Sequence, residues 1–254
     1  AGQSRWHNYY VEGLDWLARN IGIDGLYLDD VAYDRTTMKR VRKVLGAHGR
    51  QPLIDLHSAN QFNPRDGHVN SALLYMGLFP YIDRLWFGEY FDYRKTSPQY
   101  WLTEISGIPY GLMGEMLQDD GNPWRGMVFG MTSRLGWSPH SDPRPLWKLW
   151  DAFGIVKSDM IGWWVHDAPV RTGRDDVLAT SYVRSGDKVL VALASWAPRK
   201  TTVKLAIDWK ALGLDPATAT LVAPAVEGFQ PAAHFAPGDA IPVEPGKGWL
   251  LVLQ

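Results

Sequence analysis

Apolar residues follow two different rhythms along this chain, and the rhythm changes near residue 157. Before that point, helix-period and strand-period segments alternate. Residues 6–20 place Tyr9, Tyr10, Leu14, Trp16 and Leu17 at the spacing of an amphipathic helix. Gly22 and Gly25 punctuate its end, and a short apolar strand follows over residues 26–28. Residues 36–45 predict a cationic helix with Met38, Val41, Val44 and Leu45 as its inner stripe, closed by Gly46 and Gly49. Further strand-like runs lie at 52–57, 84–89 and 109–115. Helical segments are expected near 69–79, 100–105, 124–134 and 145–153. Repeated strand–helix units predict a parallel sheet covered by helices.

Residues 158–254 read differently. Val-rich strand-like runs occupy 177–184, 188–195, 201–207, 219–222 and 249–253. Turn signals such as Ser185-Gly186-Asp187 and Glu244-Pro245-Gly246-Lys247-Gly248 separate them. The one helical signal is a turn over 209–212. This is the pattern of an antiparallel β-sandwich. The expected organisation is therefore α/β: a (β/α) barrel-type domain over 1–157 followed by an all-β sandwich over 158–254. The first part holds about four or five strand–helix units, whereas a closed barrel takes eight and about 250 residues. The expectation is the C-terminal part of a barrel, completed by a missing N-terminal segment or by a homo-oligomer.

Composition narrows the function. The 254 residues carry a net charge of −1, so no electrostatic argument exists for nucleic acid or an anionic membrane as partner. No apolar run is long enough to span a bilayer as a helix. Cysteine is absent, which excludes disulfides, Cys-ligated zinc and thiol catalysis. Thirteen Trp and eleven Tyr suit a protein that stacks aromatic rings on sugar faces, although most of them are expected in cores.

Candidate chemistry falls at the ends of the predicted strands. Gly25-Leu26-Tyr27-Leu28-Asp29-Asp30 delivers two adjacent carboxylates, and barrel enzymes build active sites at this end of their strands. The next strand ends at His57, and the two after it end at Glu89 and Glu115, each preceded by a glycine. One acid or imidazole per strand end would surround a single mouth. Glycoside hydrolysis needs such a set: one carboxyl group protonates the leaving oxygen and another acts as nucleophile or base. An adjacent carboxylate that orients a substrate acetamido group is the alternative route. Tyr33, Asp34, His57, Trp86 and Trp137 are candidate sugar contacts, with Trp101 and Trp124 as further aromatic positions. Bland readings stand beside these. Asp30 or Asp34 could cap the following helix. Glu89 could pair with Arg84 or Arg94 on the surface. Asp55, inside its strand, could support structure. Strand alternation also points Asp29 and Asp30 to opposite faces unless the chain bends there. Asp29, Asp30 and Asp34 resemble a hard-cation cluster only loosely, and His140 with Asp142 lacks further ligands at convincing spacing, so no cofactor is expected; a non-catalytic carbohydrate-binding protein on a degenerate barrel and a metal-dependent hydrolase are the alternatives to a glycosidase.

The run from Gly22 through Asp29-Asp30-Val31-Ala32-Tyr33-Asp34-Arg35 resembles a signature of bacterial glycoside-hydrolase-like proteins of uncharacterised specificity. The terminal run Ile241-Pro242-Val243 through Trp249-Leu250-Leu251-Val252-Leu253 is similar to the last strands of their C-terminal domains. The resemblance implies a (β/α)8 catalytic domain followed by a β-sandwich, with catalysis at Asp29 or Asp30. If that pair sits on strand four of a barrel like that of the α-galactosidases, Glu89 falls on strand six as proton donor and Glu115 on strand seven. The resemblance implies a carbohydrate substrate and a secreted or periplasmic location.

Overall fold

The computed structural model describes residues 4–29, 33–47, 49, 51–57, 75–87, 91–114, 117, 121–135 and 142–254. The chain forms two compact units, one of residues 1–91 with 99–115, the other of residues 92–98 with 116–254.

The first unit begins with helix α1, Arg5–Asn20, and strand β1, Gly25–Asp29. Helix α2, Arg35–Gly46, leads to β2, Leu53–His57. A 3-10 turn at Met76–Tyr81 precedes β3, Arg84–Trp86, and β4 is the pair Met113–Gly114. The four strands form one parallel sheet in chain order, β1-β2-β3-β4. Alternation sorts their side chains. Leu28, Ile54, Leu56 and Leu85 lie on one buried face. Val11, Leu14 and Ala18 of α1 and Met38, Val41 and Leu45 of α2 are buried as well. Asp34 caps α2, accepting the backbone N–H of Thr36 at 2.8 Å and of Thr37 at 3.1 Å.

Two expected elements differ from the sequence pattern. The strand expected over 109–115 is reduced to Met113–Gly114, because Ile108–Tyr110 is a 3-10 turn flanked by left-handed Gly107 and Gly111. A side chain at Gly107 would overlap the Phe87 ring, so glycine is needed there for space as well as for its φ of 68°. The helix expected over 100–105 begins at Pro98–Tyr100 and continues as the π-helical stretch Trp101–Ile105.

In the second unit, α3 spans Pro123–Val128 and α4 spans Arg144–Phe153. The helix expected over 124–134 stops early because Gly130 turns left-handed, φ 74°, and the Met131 N–H closes back on the Gly126 carbonyl. Then come β5 Asp159–Ile161, β6 Val170–Arg171, β7 Val177–Arg184, β8 Lys188–Ser195, β9 Thr201–Val203 and β10 Ala206–Ile207. A one-turn helix, Trp209–Leu212, precedes β11 Leu221–Ala223, β12 Ala233–Phe235, β13 Ile241–Val243 and β14 Gly248–Leu253. An antiparallel sheet of order β12-β11-β14-β8-β7-β5 forms the centre. The run read as one strand over 201–207 is two, since β9 pairs with β13 while β10 pairs with β6.

Both faces of this sheet are covered. Val189, Val191 and Leu193 of β8 join Val203, Ile241 and Val243 of the β9–β13 ribbon in one core. Leu190 and Ala192, pointing the other way, join Met127 of α3 with Leu146 and Phe153 of α4. Arg125 of α3 is buried against the Trp196 ring, and its guanidinium donates to the Tyr93, Arg94 and Ser195 carbonyls. Burial pulls its pKa down to about 10.

Candidate functional site

The sheet of the first unit has a second face, and polar residues gather there. Register pairs Asp29 with His57 and His57 with Trp86, making one row across three strands at their C-terminal ends. One step toward the N-terminal ends, Tyr27 pairs with Asp55, Asp55 with Arg84, and Arg84 with Met113. A period of two places both rows on the face opposite Leu28, Ile54, Leu56 and Leu85.

The upper row carries the reactive groups. The His57 Nδ1 and the Asp29 Oδ1 lie 2.5 Å apart in a hydrogen bond. The Asp29 side chain is 67% exposed and that of His57 14%. The imidazole is held from two sides. The Trp86 ring lies 4.6 Å away, centre to centre, at a tilt of 44°. The Tyr27 ring lies 6.3 Å away and nearly parallel, at 16°. The hydrogen bond therefore fixes a carboxylate that remains open to solvent, while aromatic packing fixes its partner.

The lower row is structural. Arg84 grips Asp55 through two nitrogens, with Nε to Oδ1 at 2.8 Å. This bidentate pair ties β2 to β3 directly below His57 and Trp86. Beside it, Arg42 of α2 donates to Asp83 at 2.6 and 3.0 Å, just before β3 begins.

The other candidate residues stand as follows. Asp34 is engaged as the α2 cap, and the Thr37 hydroxyl adds a bond at 2.7 Å. That bond and the Thr37 N–H hold its carboxyl below the usual carboxylate range. His7 Nε2 lies 4.0 Å from it. Tyr33 packs against Tyr10 with ring centres 5.1 Å apart, and burial followed by a hydrogen bond with Tyr10 raises its pKa. Trp101 is fully buried, and Trp124 stacks on Phe229 at 4.3 Å within the second unit. Asp30, Glu89, Glu115 and Trp137 lie outside the described residues. Among the described residues no cluster of three or more His, Asp or Glu is placed to hold a metal ion. No helix among them is long and apolar enough to cross a membrane.

Sequence reasoning did not single out Tyr27 or the Asp55–Arg84 pair as parts of this face. Counting two residues back from Asp29 and from His57 would have found Tyr27 and Asp55. Nothing in the sequence announces that Arg84 lies beside Asp55, because that follows from inter-strand register.

Comparison with known proteins bears on both units. Residues 1–136 match the family profile "Glycoside hydrolase 123, TIM-barrel domain". Residues 142–254 match "Glycoside hydrolase 123, C-terminal domain". Among solved structures, the chain is similar to a GH27 β-L-arabinopyranosidase from Geobacillus stearothermophilus, with 13% identity and a TM-score of 0.55. That match covers 98% of this chain and 62% of the other. It is also similar to a Bacillus halodurans protein whose α-N-acetylgalactosaminidase activity is an assignment. There the identity is 16%, the TM-score 0.51, and the coverage again 98% and 62%. These likenesses show the fold, a TIM-barrel-type sheet followed by a C-terminal antiparallel domain. The chain spans about three fifths of the length of these structures. No curated protein matches it in sequence.

Proposed function

Because the chain belongs to glycoside hydrolase family 123, we propose that it cleaves a glycosidic bond of an oligo- or polysaccharide by carboxylate catalysis at the C-terminal ends of its parallel strands. The observation that carries this reading is the Asp29–His57 pair, an exposed carboxylate fixed at a strand end by an imidazole that the buried Trp86 ring packs.

In this scheme Asp29 or Asp30 is the nucleophile or the group that orients the substrate, and Glu89 is the acid/base. The glycosidic C–O bond breaks as the acid gives its proton to the leaving oxygen. Water then supplies the oxygen that ends on the anomeric carbon, and its proton passes to the carboxylate acting as base. His57, bonded to Asp29 and packed between Tyr27 and Trp86, keeps that carboxylate in one orientation. Tyr33 is a candidate sugar contact and Glu115 a further candidate acid, whereas Trp86, 5% exposed, packs the His57 imidazole rather than facing the sugar. The two relatives named above, with their arabinopyranosidase and N-acetylgalactosaminidase names, make pyranosides the first substrates to try.

The test is sugar release from a panel of natural glycans and aryl glycosides, with Asp29→Asn, Asp30→Asn and Glu89→Gln beside the parent chain. Release that these substitutions abolish is the expected result. Loss of the true acid should slow poor leaving groups far more than activated aryl glycosides. Sugar affinity without turnover, unaffected by all three substitutions, would instead mark a carbohydrate-binding protein.

A further inference from the structure

The cationic helix α2 has no part in the scheme above. Five of its twelve residues are Arg or Lys and none is acidic, in a chain whose net charge is −1. The charge is sorted by side. Met38, Val41 and Leu45 are buried, and Arg42 on one flank is neutralised by Asp83 through two hydrogen bonds. Arg35, Lys39 and Lys43 recur every fourth residue on the opposite, exposed side. Each step along the helix is about 6 Å, so the three form a stripe about 12 Å long. Among the described residues, no carboxylate pairs with Arg35, Lys39, Arg40 or Lys43.

The Met76–Tyr81 turn packs against α2 and adds one side chain to the stripe. The Tyr81 hydroxyl accepts the Arg35 Nε–H at 3.1 Å and is hydrogen-bonded to Lys39 as well. Its pKa is held below the ordinary phenol value, first by the Arg35 bond and then by the charges of Arg35 and Lys39. The phenol thus anchors two like charges side by side. This arrangement works against the helix. Like charges four residues apart repel, and an acid in the first turn would suit the helix dipole, yet α2 has none there. A helix that needs only solubility interleaves Glu with Lys. An open stripe of one sign, with two members anchored, is complementary to an anionic ligand.

We propose that the Arg35–Lys39–Lys43 stripe of α2 binds an anionic polysaccharide, one whose sugars carry carboxylate or sulfate groups. The choice of a glycan rests on the glycosidase reading and on the position of the stripe. β1 and β2 are parallel, so α2 runs back between them, and Arg35 lies at the strand end that carries Asp29. The stripe leads away from that end, along the course of a substrate chain extending from it. A membrane surface fits poorly, because no large apolar side chain of α2 is exposed. A nucleic acid fits poorly with the chain's negative net charge.

The experiment measures binding of the full chain to polygalacturonate, dextran sulfate and uncharged dextran by titration calorimetry. The chain should bind one or both charged polymers and not dextran, and the affinity should fall as salt rises. Binding of polygalacturonate alone would identify a carboxylate ligand and of dextran sulfate alone a sulfate ester, and either supports the proposal. Arg35→Gln, Lys39→Gln and Lys43→Gln together should weaken binding about tenfold or more. The pair Lys39→Gln and Lys43→Gln leaves the Arg35–Tyr81 bond in place. It should weaken binding by a smaller factor and keep the unfolding midpoint of the parent. Removing the same charge from the second unit, with Lys204→Gln, Lys210→Gln and Lys247→Gln, should leave binding unchanged. No binding to either charged polymer, equal affinity for dextran, or an equal effect of the two triple substitutions would overturn the proposal. Duplex DNA bound as tightly through the same three residues would overturn the glycan assignment in favour of a general polyanion face. Asp29→Asn should bind as the parent does. Failure here is therefore distinct from an absence of sugar release, which would count against the glycosidase reading.

Discussion

Each unit is built on a β-sheet, and the two sheets differ in how their faces are covered. In the second unit both faces are packed, so β7, β8 and β14 are near-continuous runs of Val, Leu and Ala. A polar side chain there must find a partner inside the protein. The Tyr182 hydroxyl gives its proton to the Met127 carbonyl at 2.6 Å, and Thr180 bonds the Val128 carbonyl at 2.7 Å. In the first unit one face is packed with apolar side chains, and the other is mixed, with Asp29 and Tyr27 open to solvent and Trp86 buried. The packed face holds Leu28, Ile54, Leu56 and Leu85, while the other holds Asp29, Asp55, His57 and Arg84. A sheet packed on both sides gives stability, and the mixed face carries polar groups either open to solvent, as Asp29 is, or paired, as Asp55 is with Arg84. The candidate carboxylate, Asp29, is the one of these groups left largely exposed.

This contrast can be broken in four ways. The largest expected effect is on turnover. Asp29→Asn should reduce sugar release by about 10²–10⁴-fold, the usual weight of a positioned acid or base, while the denaturation midpoint stays in place. A fall in stability equal to that of a core variant would show that the mixed face is structural after all. Next comes the packed sheet. Leu193→Ala removes a side chain that is 1% exposed, and denaturant titration should report a loss of about 2–5 kcal/mol.

His57→Phe tests the link between the rows. It keeps an aromatic ring between Tyr27 and Trp86 but removes the bond to Asp29. Losing a hydrogen bond to a charged group predicts roughly ten- to hundredfold slower turnover. Turnover equal to the parent's would rule out a positioning role for His57. The smallest effect belongs to Asp34. Asp34→Ala should lower the midpoint of the first unit slightly, and Asp34→Asn, which caps nearly as well, should not. Its folded-state pKa lies below the unfolded value because the bonds from Thr37 favour the anion. The cap's contribution is therefore complete above the ordinary carboxylate range and disappears as pH falls through the depressed folded value. Acid titration of the parent and Asp34→Ala should show the two curves converging at low pH.

Local pattern made much of this architecture legible. The stripe of Met38, Val41 and Leu45 gives α2, the runs 177–184 and 188–195 give β7 and β8 to the residue, and the alternation of helical and strand-like segments gives a parallel sheet. The pattern failed where glycine geometry overrode apolar rhythm. Gly107 and Gly111 turned most of an expected strand into a tight turn, and Gly130 cut an expected helix in half. It failed again at residues 201–207, where one apolar run serves two different partners.

The site divides in the same way. The sequence alone put an acid at the end of β1 and an imidazole at the end of β2, because alternation and strand length are local properties. Only the tertiary structure set Asp29 opposite His57, brought Trp86 to its other side, and locked Asp55 to Arg84 beneath them. Those pairings depend on the register between strands separated by some thirty residues of intervening chain. Register is fixed by which face each strand must bury, a property of the assembled sheet that no single segment contains.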